Sequence, residues 1–286
     1  MDKGAVVFDN YNKYIENCYD KLFTEGKVKD PLKVSQEYMD GLLREWEGSW
    51  TDTPLNELGG MSPRDYFDSA ASLDELMELF EAGARYCDDK LPDLLLERLK
   101  LHGEEAFERL VALATDMIRV DSETDFYIPL MALEVIGMWR LRNAVSPLLD
   151  MMFKCSGENE LILDAASSAL VEIGQPSIEA IIEVIQEAEN IMTVHEYLLS
   201  SLVSIGNEYK SDDIYRCIKN AFPKMEDKVL GAAFLGDYGD GRAVPFLRGY
   251  VEKNIKTMDR ETFYEIQSTI IHLGGNMEGI QTPSFD

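Results

Sequence analysis

The clearest indication of the fold is the stretch Ala233-Phe-Leu-Gly-Asp-Tyr-Gly-Asp-Gly-Arg-Ala-Val-Pro-Phe-Leu247. Within it, Gly239 follows Leu235 by four positions and precedes Leu247 by eight. Apolar residues spaced by three and four positions lie on one face of a helix. Glycine ends a helix at little steric cost because it readily adopts the left-handed conformation. The stretch therefore predicts two helices joined by a short turn at Gly239.

Similar glycines recur along the chain every 32 to 37 residues, at Gly103, Gly137, Gly174, Gly206, Gly239 and Gly274. Each of them stands four residues after Leu or Ile, and the first five stand eight residues before Val, Ile or Leu. We interpret each interval as one pair of helices. Because neither helix of a pair can bury its apolar stripe alone, we expect neighbouring pairs to stack into an array.

This pattern resembles HEAT-like repeats, in the bacterial form in which a leucine-glycine turn precedes Asp and the run Arg-Ala-Val-Pro. Partial matches occur at Leu133–Gly137 and Ala169–Gly174. The resemblance implies an all-α fold, namely a right-handed α-solenoid (an armadillo-like α/α superhelix). It also implies that the second helix of each pair lines the concave surface. Because such repeats serve many functions, the resemblance implies no particular activity.

Two pairs depart from the pattern. The pair at Gly206 lacks the Arg-Ala-Val-Pro run, and Gly274 is followed by only twelve residues, which leaves no room for a second helix. We predict HEAT-like repeats over 91–275, an N-terminal helical module over 1–90, and a C-terminal tail over 276–286 that frays or caps the last helix. The incomplete last pair leaves open an association with a second copy of the chain.

The first ninety residues lack the repeat period but contain signals for helices. The sequence predicts a helix near residues 10–24. Asp30-Pro31 provides an N-cap and a first-turn proline for a second helix that reaches about Trp46. This part of the chain is therefore expected to be a small helical module.

The segment Pro54-Leu-Asn-Glu-Leu-Gly-Gly-Met-Ser-Pro-Arg64 is similar to a Pro-x-x-x-Leu-Gly-Gly-x-Thr-Pro motif of small helical modules in bacterial proteins. Some of those modules are the toxin-binding parts of antitoxins, so the motif implies a toxin-like partner. The alternative is a Gly-Gly turn between two helices. Ser62 with Pro63 is expected to begin a helix, and Ser72 with Glu75 forms a capping box for the next.

Charge excludes several classes of function. The chain has 27 Lys and Arg against 53 Asp and Glu, which gives a formal net charge of −26. A chain this acidic is poorly suited to a phosphate backbone or an anionic membrane, so we expect neither nucleic acid nor a membrane as partner. Neither a signal peptide nor a membrane span is evident, and the four cysteines are widely spaced. These features predict a cytoplasmic protein.

Metal sites and nucleophilic catalysis need side chains that this sequence does not group. Zinc sites use Cys and His at short spacing, whereas none of the cysteines has another Cys or a His within three residues. The three histidines are scattered, so no base can be assigned to a nucleophile. We therefore expect no catalytic residue, no metal and no cofactor, and we predict that the chain is not an enzyme.

Acidic residues are concentrated between Lys154 and Lys210, where ten Asp or Glu occur without any Lys or Arg. Within this stretch, Glu179, Glu183 and Glu187 follow one another at every fourth position of one helix. Like charges at this spacing repel by about 0.2–0.5 kcal/mol per pair. The row is either a solvated face that aids solubility or a docking stripe for a basic peptide or protein helix.

Three further residues are candidate partner-binding positions. Asp150 and Tyr215 occupy the places that align with the acidic row in neighbouring pairs. Trp139 follows Gly137 in a turn where small or polar residues are usual. An exposed tryptophan can anchor a partner, and a turn tryptophan can instead cover the adjoining helix ends.

Together these observations favour a non-enzymatic scaffold that uses an acidic concave surface to bind a protein or peptide of basic character. The alternative is an enzyme accessory or lyase-like HEAT protein that handles a small molecule or prosthetic group. A scaffold should have an open groove, whereas the alternative needs a closed pocket with convergent polar groups.

Overall fold

In the computed structural model, the chain is described at residues 3–24, 34–120, 122, 124–155, 159–283 and 285. These residues form sixteen α-helices and no β-strand, so the prediction of an all-α protein is confirmed. By compactness the chain divides into an N-terminal unit, Met1–Ala132, and a C-terminal unit, Leu133–Asp286. The sequence instead predicts a boundary between residues 90 and 91, where the glycine repeats are expected to begin. That boundary describes the start of the repeats, and it stays a prediction.

The helices of the N-terminal unit are α1 Lys3–Thr24, α2 Gln36–Thr51, α3 Pro63–Asp68, α4 Leu73–Tyr86, α5 Asp93–Lys100, α6 Glu104–Ala114 and α7 Met117–Val120. Helix α8, Tyr127–Met138, crosses the boundary between the units. The C-terminal unit continues with α9 Val145–Lys154, α10 Glu160–Ile173, α11 Gln175–Glu187, α12 Thr193–Glu208, α13 Asp212–Ala221, α14 Lys228–Tyr238, α15 Ala243–Asn254 and α16 Arg260–His272.

A buried tryptophan joins the first three helices of the N-terminal unit. Trp50 of α2 is fully buried, and its indole Nε1 donates a hydrogen bond of 2.9 Å to Oδ1 of Asn10 on α1. Its ring centroid lies 4.8 Å from that of Tyr11 on α1 and 6.4 Å from that of Phe67 on α3. Burying an aromatic side chain of this size is among the largest single contributions to a core.

The helix signals in this unit are confirmed in part. Helix α1 begins at Lys3, before the predicted start near residue 10, and α2 begins at Gln36 with Ser35 as its cap. The predicted start at Asp30-Pro31 lies outside the described residues. Ser62 and Pro63 begin α3 as predicted, and Ser62 also forms a capping box there with Asp65. The predicted capping box of Ser72 with Glu75 is present at the start of α4.

The Leu-Gly-Gly segment forms a closed turn between α2 and α3. A short 3-10 helix, Asn56–Leu58, is followed by Gly59 and Gly60, both with positive φ. The backbone N–H of Leu55 donates to the carbonyl of Met61 at 2.9 Å, which closes the turn. This geometry supplies a structural reason for the two glycines, and the toxin-like partner stays a prediction.

Two sets of helices in the C-terminal unit pack side by side. Helices α10, α12, α14 and α16 contact one another in that order, and α9, α11 and α13 do the same. The members of each consecutive pair, such as α10 with α11 and α12 with α13, also contact each other. Apolar stripes are therefore buried between the two sets, and full burial of one Leu or Ile contributes roughly 1.5–3 kcal/mol.

The recurring glycines have two different physical roles. Gly103, Gly174, Gly239 and Gly274 have positive φ beside helix ends. Gly239 has the predicted left-handed conformation, whereas ψ is −134° at Gly103 and −132° at Gly174, outside the left-handed region. Gly137 and Gly206 instead lie inside α8 and α12, so the predicted helix stop is wrong at both.

The reason is close packing between helices. A Cβ atom at 137 would lie 3.1 Å from Cα of Ala169, and one at 206 would lie 2.6 Å from the ring of Tyr238. At these two positions glycine provides space for a neighbouring helix, and the helix continues for one residue after Gly137 and for two after Gly206.

Helix α8 ends at Met138, one residue after Gly137, and the left-handed residue that follows it lies three positions after that glycine. Arg140 is the left-handed residue there, with φ 53°, and its N–H donates to the carbonyl of Gly137 at 2.9 Å. The N–H of Leu141 donates to the carbonyl of Ile136 at 3.1 Å. These two bonds form a Schellman motif, in which the left-handed position is usually glycine.

The described part of the tail packs back onto the last helices, which agrees with a capping role. The ring of Phe285 lies 5.7 Å from that of Phe263 and 6.0 Å from that of Tyr264 on α16. Arg248 of α15 donates to the carbonyl of Glu278 at 2.8 Å. No helix occurs in the described residues after Gly274, as the sequence predicts.

We expect Gly206→Ala to lower the free energy of unfolding by about 1–3 kcal/mol, because the added methyl group overlaps the ring of Tyr238. The matched control is Gly249→Ala in α15, where no atom lies within 4 Å of the new Cβ. That control should gain about 0.5–1 kcal/mol. Urea denaturation monitored by circular dichroism measures both, and equal effects of the two substitutions would contradict the packing role.

We also expect Arg140→Gly to raise the free energy of unfolding by about 0.5–1 kcal/mol, since glycine adopts positive φ without the steric cost of a side chain. Arg142→Gly, in the following 3-10 turn, should instead lower it. The same denaturation experiment applies, and a destabilised Arg140→Gly variant would show that the side chain is needed for more than the turn.

Candidate functional site

The acidic face, defined as Glu179, Glu183 and Glu187, lies on the exposed side of α11. Ile181 and Ile185 lie on the buried side of the same helix. Helix α11 contacts α9 on one side and α13 on the other. The three carboxylates therefore occupy the middle helix of a three-helix surface.

The three carboxylates have no charge partner within the described residues, where neither an ion pair nor a side-chain hydrogen bond engages them. Many cations of the C-terminal unit, in contrast, are held in internal contacts: Lys210, Arg216, Lys224, Lys228, Arg242 and Arg248. Among the described residues, the negative charge of the acidic face is therefore not compensated by a direct contact.

The other three predicted positions differ in environment. Asp150 is exposed on α9, the helix beside the acidic face, whereas Trp139 is half-buried in the turn after α8. Tyr215 of α13 is only 6 % exposed, and the guanidinium of Arg242 lies 4.3 Å from its ring centroid. A role of these residues in binding stays a prediction, and the ring of Tyr215 is covered by the fold itself.

A cluster around Arg242 explains why Tyr215 is covered. Arg242 forms ion pairs with Asp240, at 2.7 Å, and with Asp212. These hydrogen bonds lower the pKa of both carboxyl groups. The cluster fixes the turn before α15 against the start of α13. The motif around Gly239 contains Arg242 and Asp240 but gave no indication of Asp212, which lies thirty residues before Arg242.

A depression that the sequence did not indicate lies at the end of the acidic face. It has a volume of about 470 Å³ and is lined by Phe153, Val184, Glu187, Ala188, Glu189, Asn190, Met192 and His195. Phe153 is 42 % exposed and Met192 is 56 % exposed, while His195 is buried. We call it the α11 depression.

The N-terminal unit contains a buried carboxyl group. Glu47 of α2 is 4 % exposed, and its Oε1 accepts a hydrogen bond of 3.3 Å from the N–H of Leu94. Its Oε2 lies 3.7 Å from Nζ of Lys90 and 3.5 Å from the hydroxyl of Tyr11. Burial, with a smaller contribution from Asp93, raises the pKa of Glu47 to about 7. Lys90 itself is held by Asp93 at 3.2 Å.

The described residues contain no group of three or more His, Cys, Asp or Glu side chains placed to hold a metal ion. Burial raises the pKa of Cys87 and of Cys217 to about 12, so both thiols are protonated at neutral pH and are poor nucleophiles. Within the same described ranges, every helix is too short or too polar to cross a membrane.

No protein-family model, no curated protein and no solved structure matches this chain. The resemblance to HEAT-like repeats thus depends on the glycine pattern and on the Leu235–Leu247 stretch.

The buried acid predicts a measurable pH dependence. Because the pKa of Glu47 in the folded chain is about 7, above its ordinary value of 4.5, the folded state holds a proton that the unfolded state loses. The proton on Glu47 makes its full contribution to the free energy of unfolding below about pH 4.5. This contribution is lost as the pH rises to about 7. Glu47→Gln should avoid this loss, which amounts to about 3 kcal/mol.

The measurement is chemical denaturation of the native chain and the variant between pH 4.5 and 8. Glu45→Gln, which changes an exposed carboxyl group of the same helix, is the control. The profile of Glu45→Gln should run parallel to that of the native chain. If the profile of Glu47→Gln also ran parallel to it, the raised pKa of Glu47 would be wrong.

Proposed function

We propose that this chain is a cytoplasmic, non-enzymatic protein-interaction scaffold that binds a basic protein or peptide. The observation that carries this proposal is the acidic face, with three exposed and unpaired carboxylates in register on α11. A segment with Lys or Arg at matching intervals would supply the missing countercharges. Each exposed pair contributes roughly 0.2–1 kcal/mol, so several pairs must form together.

The packing of helices in the C-terminal unit supports a proposal about how they are arranged. We propose that its helices are HEAT-like pairs in a right-handed solenoid, with α9, α11 and α13 as the helices that line the binding surface. The side-by-side contacts within each of the two helix sets agree with this arrangement. A partner on α11 would then also reach Asp150 on α9.

A second candidate function has its own observation. The pKa of Glu47, about 7, is near neutral pH. Two side chains that contact Glu47, those of Tyr11 and Lys90, also line a pocket of about 340 Å³. Shifted ionisable groups beside a pocket are common in small-molecule sites. This would suit an enzyme accessory or lyase-like protein, although no reacting group is assigned there.

Charge reversal tests the scaffold proposal. The triple variant Glu179→Lys, Glu183→Lys and Glu187→Lys should bind a fluorescein-labelled helical peptide, with lysine at every fourth position, at least tenfold more weakly in anisotropy titrations. Native binding should itself weaken from 0.05 to 0.5 M salt, because screening shortens the range of charge interactions.

The matched control reverses three exposed acids of α6, namely Glu104, Glu105 and Glu108, and changes the net charge equally. This control should bind the peptide as the native chain does. Equal losses in the two triple variants would mean that the peptide responds to net charge alone, and the acidic face would then be only a solvated surface.

A further inference from the structure

The α11 depression is continuous with the acidic face. Glu187 belongs to both, and Val184, one turn before Ala188 on α11, contributes to the wall of the depression. The second acid in its lining is Glu189, so the apolar surface inside is bordered by negative charge. A partner lying along the acidic face would therefore meet this depression at the C-terminal end of α11.

The apolar part of the depression consists of two exposed side chains at the ends of two helices. Phe153 comes from the end of α9, and Met192 comes from the residue that precedes α12. Single exposed apolar residues are normal on protein surfaces, but these two converge in one concave site. A methionine beside an aromatic ring can adapt to ligands of different shape.

The walls of the depression are held by hydrogen bonds from other parts of the unit. Lys224, in the 3-10 turn after α13, donates from Nζ to the carbonyl of Ala188 at 2.6 Å. Its own carbonyl accepts from the N–H of Ile191 at 3.4 Å. Nδ1 of His195 accepts from the N–H of Met192 at 3.1 Å. A site shaped before binding loses less conformational freedom when a ligand enters.

The buried imidazole also supports the aromatic wall. The ring centroids of Phe153 and His195 are 5.2 Å apart in an edge-to-face arrangement. Burial, followed by the charge of Lys224, lowers the pKa of His195, so the imidazole is neutral and Nδ1 can accept at neutral pH.

We propose that the α11 depression is an anchor pocket for one large apolar side chain of the basic partner. The recognised segment is then an amphipathic one, with an aromatic or leucine residue about one helical turn from a row of Lys or Arg. Its cations pair with the acidic face, and its apolar residue contacts Phe153 and Met192. This inference depends on the proposed scaffold function and specifies the chemistry of its partner.

The experiment uses the full chain and two helical peptides. The anchored peptide carries lysine at every fourth position and tryptophan one turn beyond each end of the lysine row, so that either orientation can reach the pocket. The plain peptide has serine in place of both tryptophans. We expect the native chain to bind the anchored peptide at least tenfold more tightly than the plain one in anisotropy titrations.

Substitutions in the α11 depression should remove the preference for the anchored peptide over the plain peptide and should leave binding of the plain peptide unchanged. Phe153→Ser should reduce the tenfold difference to less than twofold while leaving the affinity for the plain peptide unchanged. Met192→Ser, which changes the more exposed residue and disturbs packing less, should reduce the difference in the same direction. The matched control is Phe23→Ser on α1, since Phe23 is 41 % exposed and should leave the preference intact. Circular dichroism checks that each variant is folded.

The outcomes separate the two proposals. If folded Phe153→Ser and Met192→Ser variants kept the full preference, or if the native chain had none, the anchor pocket would be wrong while the acidic face could still bind the plain peptide. If reversal of Glu179, Glu183 and Glu187 left the affinity for the plain peptide unchanged, the scaffold proposal itself would fail.

Discussion

The contact between Tyr238 and Gly206 is the point on which much of the C-terminal unit depends. The ring of Tyr238 occupies the space that a side chain at 206 would fill. Its hydroxyl donates to the carbonyl of Ser211 at 2.8 Å and accepts from the N–H of Ser211 at 3.0 Å. Lys210 also donates to the carbonyl of Tyr238 at 2.7 Å. One side chain thus connects α12, the turn before α13, and α14, so helices far apart in sequence share their buried surface.

The sequence predicts the helices well because their signals are local. Spacings of three and four residues, the caps Ser62 and Ser72, and the glycine period all operate within one or two turns. What the sequence could not reveal is which glycines end a helix. Gly206 and Gly239 look alike in the pattern, and only the ring of Tyr238 gives Gly206 its different role. The left-handed Arg140 was likewise invisible, because that conformation favours glycine.

At the candidate site, too, features within one helix could be predicted from the sequence, whereas contacts between distant segments could not. The acidic face was predictable because three residues at every fourth position share one side of one helix. The burial of Tyr215 was not, since it depends on Arg242, which lies on a different helix pair. The α11 depression combines residues from α9, α11 and the start of α12, so no segment of sequence contains its pattern. The net charge of the sequence also does not show which charges are exposed without a partner. Many cations of the C-terminal unit form internal contacts, while the carboxylates of the acidic face do not.

The hydrogen bonds of Lys224 have a consequence for dissecting the chain into fragments. Every residue of the acidic face and of the α11 depression lies in the part of the chain between the end of α9 and the first turn of α12. A fragment that ended with α12 would nevertheless lack Lys224, which holds the carbonyl of Ala188 and the N–H of Ile191. The smallest fragment able to present this surface in its native shape therefore extends through residue 224, beyond all of α13, although the last residue of the lining, His195, lies in the first turn of α12.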